Sequence, residues 1–240
     1  MREVRVIELW RYPVKSLQGE QLTSVGVGAQ GLDGDRQYAL FDPATGFGLT
    51  ARRVPALLFA SARLRDDGTP EITLPDGTIA ADDIALSGWL GRPVALRSTA
   101  DVVTRTYENP SDFEHESVDS WSPFSGSTGA FQDTEEAAVS LLSETTYASW
   151  DRRRFRANLL LDGAGEDDLL GTRVTLGTAQ LDVQLRIQRC VMVTRPQPDG
   201  VDRDLDVLRT IHRERQGCLS VGATVATLGR ISVGDKLLEP

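Results

Sequence analysis

The stretch "RVTLGTAQLDVQLRIQRCVMV", residues 173–193, predicts two β-strands joined by a Gly-Thr turn. In the second strand, apolar side chains occupy every other position from 181 to 187, so they share one face and polar side chains share the other. If the strand stays regular, Cys190 falls on the polar face. Free cysteine is more often a small buried hydrophobe, but Arg186 and Arg189 beside Cys190 favour the thiolate, the form that attacks electrophiles and binds metals.

Short strands are predicted on both sides of this hairpin. The first hundred residues contain β-branched and aromatic runs that end at Pro or Asp-Gly turns, as in "VRVIELWRYPV" and "DDGTPEITLPDGTIAA". Helices are fewer: Asp82 or Asp83 can cap one, Ser143 another, and residues 202–215 have the apolar spacing of an amphipathic helix. The sequence therefore predicts a mainly β protein with a few short helices, built as a barrel or sandwich.

One long stretch lacks this patterning. Residues 107–130 are rich in Ser, Gly, Pro and acidic residues and show no periodicity. This composition is typical of a long loop or linker, which either lines a site or forms a disordered connector. We therefore expect an N-terminal β domain over residues 1–100, a loop or linker over 101–130, and a second domain over 131–240.

Composition excludes several classes of function. The 240 residues include 26 basic and 35 acidic side chains, a formal charge of −9, which argues against nucleic-acid binding. Two cysteines are too few for an iron–sulfur cluster, and the two cysteines and two histidines (Cys190, Cys218, His115 and His212) occur in neither the "CxxC" nor the "HExxH" spacing that is typical of zinc sites. Because neither a signal peptide nor a membrane-spanning segment is evident, we expect a cytoplasmic protein with no membrane association, in which a disulfide is unfavoured.

Positive charge is nevertheless concentrated in "DRRRFRAN", residues 151–158, with four arginines in five positions. Read as a strand, the segment places Arg154, Arg156 and Asn158 on one face, opposite the apolar side chains. Guanidinium and amide donors suit phosphate or carboxylate recognition. From these residues alone, a solvated face with surface salt bridges is the favoured alternative.

Two N-terminal segments offer further anion-binding groups. Lys15 and Ser16 follow Pro13 in "YPVKS", and Arg36 follows a glycine turn in "GLDGDR". Each could bind an anion, although a surface role is the ordinary interpretation of either segment taken alone.

Taken in order, these segments resemble the MOSC family, named after the C-terminal domain of molybdenum cofactor sulfurase. "YPVKS", "GLDGDR" and "TARRVP" (residues 50–55) resemble the family's N-terminal β domain. "FRAN" is similar to its "FRPN", "QRC" to its cysteine segment, and "RISVGD" to its closing "I-x-VGD". The resemblance implies a MOSC β-barrel packed on an N-terminal β domain, and it covers nearly the whole chain.

The resemblance also implies a site for the molybdenum cofactor, an anionic pterin whose dithiolene holds the metal. Cys190 would ligate molybdenum, since a soft thiolate suits a sulfur-rich metal centre, and Asp133 in "FQD" would be an acid near the metal. Five residues are expected to contact the pterin and its phosphate: Lys15, Ser16, Arg36, Arg156 and Asn158.

The implied activity is reduction of a small N-hydroxylated compound. With too few cysteines for an internal iron–sulfur cluster, the electrons would come from a separate ferredoxin, flavoprotein or cytochrome b5-type protein. Three alternatives remain open: a sulfur-transfer protein with a persulfide on Cys190, a non-catalytic cofactor carrier or sensor, and a branch that has lost the cofactor and uses its pocket for other chemistry.

Overall fold

The computed structural model describes residues 3–102, 104–114, 116, 121–147 and 149–239, so His115 lies outside the described residues. The prediction of a mainly β protein with a few short helices is confirmed. The strands are β1 (Val6–Arg11), β2 (Glu20–Leu22), β3 (Ser24–Gly28), β4 (Gly31–Leu32), β5 (Tyr38–Phe41), β6 (Ser61–Leu64), β7 (Pro70–Thr73), β8 (Ala95–Ser98), β9 (Thr106–Pro110), β10 (Trp121–Ser125), β11 (Val139–Ser143), β12 (Leu159–Leu161), β13 (Arg173–Leu176), β14 (Ala179–Gln188), β15 (Cys218–Thr227), β16 (Gly229–Ser232) and β17 (Leu237–Leu238). The helices are α1 (Asp83–Leu90), α2 (Glu144–Tyr147) and α3 (Leu205–Arg215).

The largest sheet has eight strands in the order β17-β13-β14-β15-β11-β12-β1-β2 and curls into a half-barrel. Its long central strands β14 and β15 pair with three shifts of register, and such bulges increase the bend of a sheet. Ala179, Leu181 and Val183 of β14 are buried, as the alternating pattern predicts, whereas Leu185 and Ile187 on the same face are half-buried. Its strands contribute to an apolar cluster that includes Leu9, Leu141, Leu159, Leu181 and Val221.

A second apolar cluster lies among the elements between β5 and β8. Leu40, Leu57 and Leu58 are buried there, and Leu86 of α1 packs against them. Helix α1 begins where predicted: the Asp82 carboxylate accepts a hydrogen bond of 2.8 Å from the Ala85 amide, which caps the helix N-terminus.

The predicted division into domains stays a prediction, but strand pairing crosses it. Strand β1 pairs antiparallel with β12, placing Leu9 opposite Leu159, and β16 pairs with β3. Elements from both ends of the chain are therefore hydrogen-bonded into shared sheets.

The prediction of an irregular loop is wrong for part of residues 101–130, because β9 and β10 pair there as an antiparallel hairpin. Its packing rests on Tyr107, which is fully buried and lies 5.7 Å from Phe124 between ring centroids. Gly48 and Gly126 leave the space that the tyrosine ring occupies, since a Cβ at either position would lie under 2.5 Å from it. A few apolar contacts made at long range thus order a polar segment.

The segment "DRRRFRAN" is also not the predicted strand. A 3-10 turn covers Arg152–Arg154, because the Asp151 carboxylate accepts a hydrogen bond of 2.9 Å from the Arg153 amide. Arg156 then adopts a left-handed backbone conformation (φ 52°), and β12 begins only at Leu159. The predicted shared face of Arg154, Arg156 and Asn158 therefore does not form. Among the described residues, no helix is long and apolar enough to cross a membrane.

Candidate functional site

A cleft of about 700 Å³ opens between the half-barrel, the N-terminal elements, the β9–β10 hairpin and α3. Its described charged lining residues are six basic side chains and one acidic side chain: Lys15, Arg36, Arg52, Arg156, Arg186, Arg189 and Asp133. A cavity that concentrates positive charge in a protein of net charge −9 attracts anions locally.

Three predicted residues on the cleft have strained backbones. Ser16, Arg36 and Arg156 all have left-handed conformations, with φ of 71°, 50° and 52°. For residues other than glycine this costs about 1–3 kcal/mol each, and such strain clusters at functional sites. Local hydrogen bonds hold two of them in place: Ser16 Oγ accepts from the Ala51 amide at 3.0 Å, and the Arg36 amide donates to the Tyr12 carbonyl at 2.8 Å.

Arg156 is a buried cation with unused hydrogen-bonding capacity. Its side chain lies over the Tyr12 ring at 4.3 Å and donates through Nη1 to the Leu17 carbonyl, with the residue only 5% exposed. Nη2 is buried without a hydrogen-bond partner, and Arg156 forms no ion pair within the described part of the chain. Burial lowers the pKa of Arg156 to about 10, which leaves it charged at neutral pH. An anion in the cleft would satisfy both its charge and its free donor.

Arg36 and Asn158 lie near Arg156 but differ in their contacts. Arg36 pairs with the buried Asp35 carboxylate, and its Nη2 donates to the Arg156 carbonyl at 3.2 Å. Asn158 is 1% exposed and does not line the cleft. Its Oδ1 accepts from Ser140 Oγ at 2.9 Å, and its Nδ2 donates to the Trp10 carbonyl at 3.2 Å. Asn158 therefore joins β1, β11 and β12 beneath the site, while Ser140 lines the cleft.

Lys15 and Asp133 form an ion pair inside the cleft. Lys15 Nζ donates to Asp133 Oδ1 at 2.7 Å and to the Phe131 carbonyl at 2.9 Å, and it lies 4.4 Å above the Tyr107 ring. Burial lowers the pKa of Lys15 to about 8, although Asp133 partly offsets this shift. Burial alone would raise the pKa of Asp133, but Arg52 and Lys15 outweigh it and hold that pKa well below its usual range. Asp133 is thus a carboxylate, and its side chain is 44% exposed to the cleft.

Cys190 lies on the same cleft and is half-buried. Strand β14 ends at Gln188, so Cys190 follows the strand and precedes a 3-10 turn at Val191–Thr194. Cys218, at the start of β15, does not line the cleft, and both thiols are free. No cluster of three or more His, Cys, Asp or Glu side chains suited to a metal ion occurs within the described ranges.

Arg52 is a site residue to which the sequence interpretation gave no role. Its Nε donates to Cys190 Sγ at 3.2 Å, and its Nη2 pairs with Asp133. Phe124 of the hairpin lies against the guanidinium at 5.1 Å. The available signal was the position of Arg52 inside "TARRVP", one of the segments that carry the family resemblance.

The remaining arginines of residues 151–158 are structural. Arg152 pairs with Glu8 at 2.9 Å and lies over the Trp10 ring at 4.3 Å. Arg153 pairs with Asp151 at 2.7 Å. Arg154 donates to three backbone carbonyls: those of Val193 at 3.1 Å, Arg195 at 2.8 Å and Asp202 at 2.7 Å. Of the four arginines, only Arg156 reaches the cleft.

Comparison with protein families assigns both halves of the chain. The model of the MOSC N-terminal beta barrel domain matches residues 3–121, and the model of the MOSC domain matches residues 128–238. The two matches together include the described residues that line the cleft except Phe124, which lies between the matched ranges.

Individual relatives are more distant. The chain is 25% identical over 247 residues to molybdenum cofactor sulfurase of Drosophila willistoni, covering 93% of this chain and 31% of that protein. The chain therefore spans about a third of the length of this curated relative. Among solved structures, the YuaD protein of Bacillus subtilis gives a TM-score of 0.44 at 10% identity, with 98% of this chain and 93% of that chain covered. YiiM of Geobacillus stearothermophilus gives 0.34 at 20% identity, with 58% and 74% covered.

Proposed function

Because the chain belongs to the MOSC family, we propose that its cleft binds the molybdenum cofactor, with Cys190 as the protein ligand to molybdenum. The observation that carries this proposal is the buried Arg156, which has no carboxylate partner among the residues that the structure describes and keeps a free donor at Nη2. Burying an uncompensated charge costs several kcal/mol. An anionic ligand such as the phosphate of the pterin would remove that cost.

The chain's own residues fit such a ligand. The cleft volume of about 700 Å³ lies within the usual range for cofactor sites. Arg156 would donate to the phosphate, with Arg36 and Ser16 beside it on the cleft wall. Lys15 would act through its charge, because its hydrogen bonds go to Asp133 and Phe131. Asn158 would act from below by fixing Ser140.

Elsewhere on the cleft wall, the Cys190 sulfur would bind the metal as a soft ligand. When bound, the cofactor would supply two-electron redox chemistry that side chains cannot perform. The protein's part is then to hold Cys190 in position, to bind the anionic tail of the cofactor, and to leave room for a small substrate between the apolar side chains of Phe113, Leu208 and Met192.

We further propose that the reaction is reduction of an N-hydroxylated compound in the cytoplasm. Cleavage of the N–O bond gives an amine-type product and water, and it consumes two electrons and two protons. The electrons would come from a separate ferredoxin, flavoprotein or cytochrome b5-type protein, since the chain's two cysteines are fewer than an iron–sulfur cluster requires.

The test is turnover by the purified full chain, produced in cells that make the cofactor. Reduction of an amidoxime should depend on a chemical electron donor and disappear in Cys190→Ser, whereas Cys218→Ser should retain it. Molybdenum-loaded protein without turnover would overturn the reductase and support a carrier or sensor. Activity that survives Cys190→Ser would overturn the assignment of the ligand.

Sulfur transfer is a second candidate, favoured by the relative whose name is molybdenum cofactor sulfurase. In this reaction Cys190 would carry a persulfide, and its outer sulfur would pass to an acceptor. Cyanide-labile sulfur on protein that lacks molybdenum, lost in Cys190→Ser, would support this candidate over the reductase.

A further inference from the structure

We propose that Arg52 is the positioning residue for Cys190: it holds the cysteine sulfur in the cleft, and Asp133 and Lys15 hold Arg52. The proposal deepens the proposed function, since it rests on Cys190 being the working sulfur of the site. It gives Asp133 a different task from that of an acid acting on the substrate.

The geometry forms one continuous chain of contacts. Lys15 Nζ donates to one oxygen of Asp133 at 2.7 Å, and Arg52 Nη2 pairs with the other oxygen. Arg52 then donates through Nε to Cys190 Sγ at 3.2 Å. Because the guanidinium is planar and its donors are fixed relative to one another, anchoring Nη2 on the carboxylate determines where Nε points. The sulfur is therefore placed by the Asp133 carboxylate, acting through Arg52.

The packing leaves Arg52 little freedom to move away. Arg52 is only 6% exposed, and Phe124 of the hairpin lies against its guanidinium at 5.1 Å. Its carbonyl accepts a hydrogen bond from Arg195. An arginine fixed at both its backbone and its guanidinium can hold a thiol in one orientation at little entropic cost.

The other cations near Cys190 are committed elsewhere. Arg189 donates through Nε to the Leu219 carbonyl at 2.8 Å and through Nη1 to the Phe155 carbonyl at 3.0 Å, while Nη2 bonds Ser220. Arg186 pairs with Asp167 at 3.4 Å, and its side chain is 46% exposed. Among the residues with described positions, Arg52 is therefore the cation that contacts the sulfur directly.

The test compares two alkylating reagents on the full chain, produced in cells that cannot make the cofactor. In a Cys218→Ser background, Cys190 is alkylated by anionic iodoacetate and by neutral iodoacetamide at the same pH. The ratio of the two rates cancels the reactivity of the sulfur and reports the positive charge beside it. A guanidinium within about 6 Å of the approaching carboxylate should favour iodoacetate about three- to tenfold.

Arg52→Met should lower the ratio by that factor. Arg53→Met is the matched control, since the neighbouring Arg53 pairs with Glu108 and does not line the cleft; its ratio should stay at the starting value. If Arg52→Met fails to fold by size-exclusion chromatography, Arg52→Gln tests the same loss of charge. An unchanged ratio in the folded Arg52 variant, or equal losses in the Arg52 and Arg53 variants, would overturn the proposal.

The outcome is independent of the cofactor. If the chain gains no molybdenum in cells that make the cofactor, but its cofactor-free form shows the fall in ratio, the role of Arg52 stands and the proposed function is refuted. If the chain binds molybdenum in those cells, but its cofactor-free form does not respond to Arg52→Met, the reverse holds.

Discussion

Replacing Arg156 with alanine should weaken retention of the cofactor more than any other single change in residues 151–158. Its free Nη2 can make one charge-assisted hydrogen bond to an anionic ligand, worth about 1.5–3 kcal/mol. This corresponds to a dissociation constant about ten- to a hundredfold higher. The dissociation constant of Arg156→Lys should lie between those of the unaltered chain and Arg156→Ala, because lysine restores the charge but not the planar donor pair.

The same substitution also affects the folded state. Arg156→Ala removes the donor to the Leu17 carbonyl and the cation that lies over the Tyr12 ring. A cation–π contact of this kind contributes about 0.5–2 kcal/mol. Occupancy must therefore be compared at a temperature well below the unfolding midpoint of each variant.

The assay is the pterin content of purified protein, followed by titration of the cofactor-free chain with inorganic pyrophosphate. Arg152→Ala is the matched control, since Arg152 belongs to the same cluster but pairs with Glu8 and lies over Trp10, away from the cleft. Full pterin content in folded Arg156→Ala, or an equal loss in Arg152→Ala, would refute the reasoning.

Three further outcomes are expected. Cys190→Ser should abolish reduction of an amidoxime yet leave most of the pterin bound, measured by turnover and pterin fluorescence, whereas Cys218→Ser should change neither. Because burial lowers the pKa of Lys15 to about 8, the cleft loses a positive charge between pH 7 and pH 9. Pyrophosphate itself gains negative charge over this window, so its affinity is compared with that of Lys15→Arg, which keeps its charge; relative to that variant, the affinity of the unaltered chain should fall about three- to tenfold, and an equal pH dependence of the two proteins would contradict this. Asn158→Ala should lower the free energy of unfolding by about 1–3 kcal/mol, since it leaves buried Ser140 groups without partners; an unchanged urea midpoint would contradict it.

Local features of the fold were predictable because they depend on short-range physics. The alternation of apolar side chains in residues 181–187 identifies the more buried face of β14, since side chains repeat with a period of two in a strand. A carboxylate next to a helix start likewise identified Asp82 and Asp83 as candidate caps, of which Asp82 caps the helix. The pairing of β1 with β12 had no such signal, because it depends on which apolar faces meet at long range.

Prediction of the site was limited in the same way. The resemblance predicted that Lys15, Asp133 and Cys190 share one site, and all three line the same cleft in the structure. Reading "DRRRFRAN" as a strand failed because the Asp151 side chain competes for the Arg153 amide. The task of Arg52 could not be read from the sequence, because its partner Cys190 lies 138 positions away.

The central claim is that this cleft holds the molybdenum cofactor through Cys190, and the metal and pterin content of the chain tests it most directly. The full chain, purified from cells that make the cofactor, should contain molybdenum and pterin in equal amounts, and X-ray absorption should show one sulfur ligand fewer at the metal in Cys190→Ser. Folded protein that contains neither molybdenum nor pterin would contradict the claim, as would an unchanged number of sulfur ligands in Cys190→Ser.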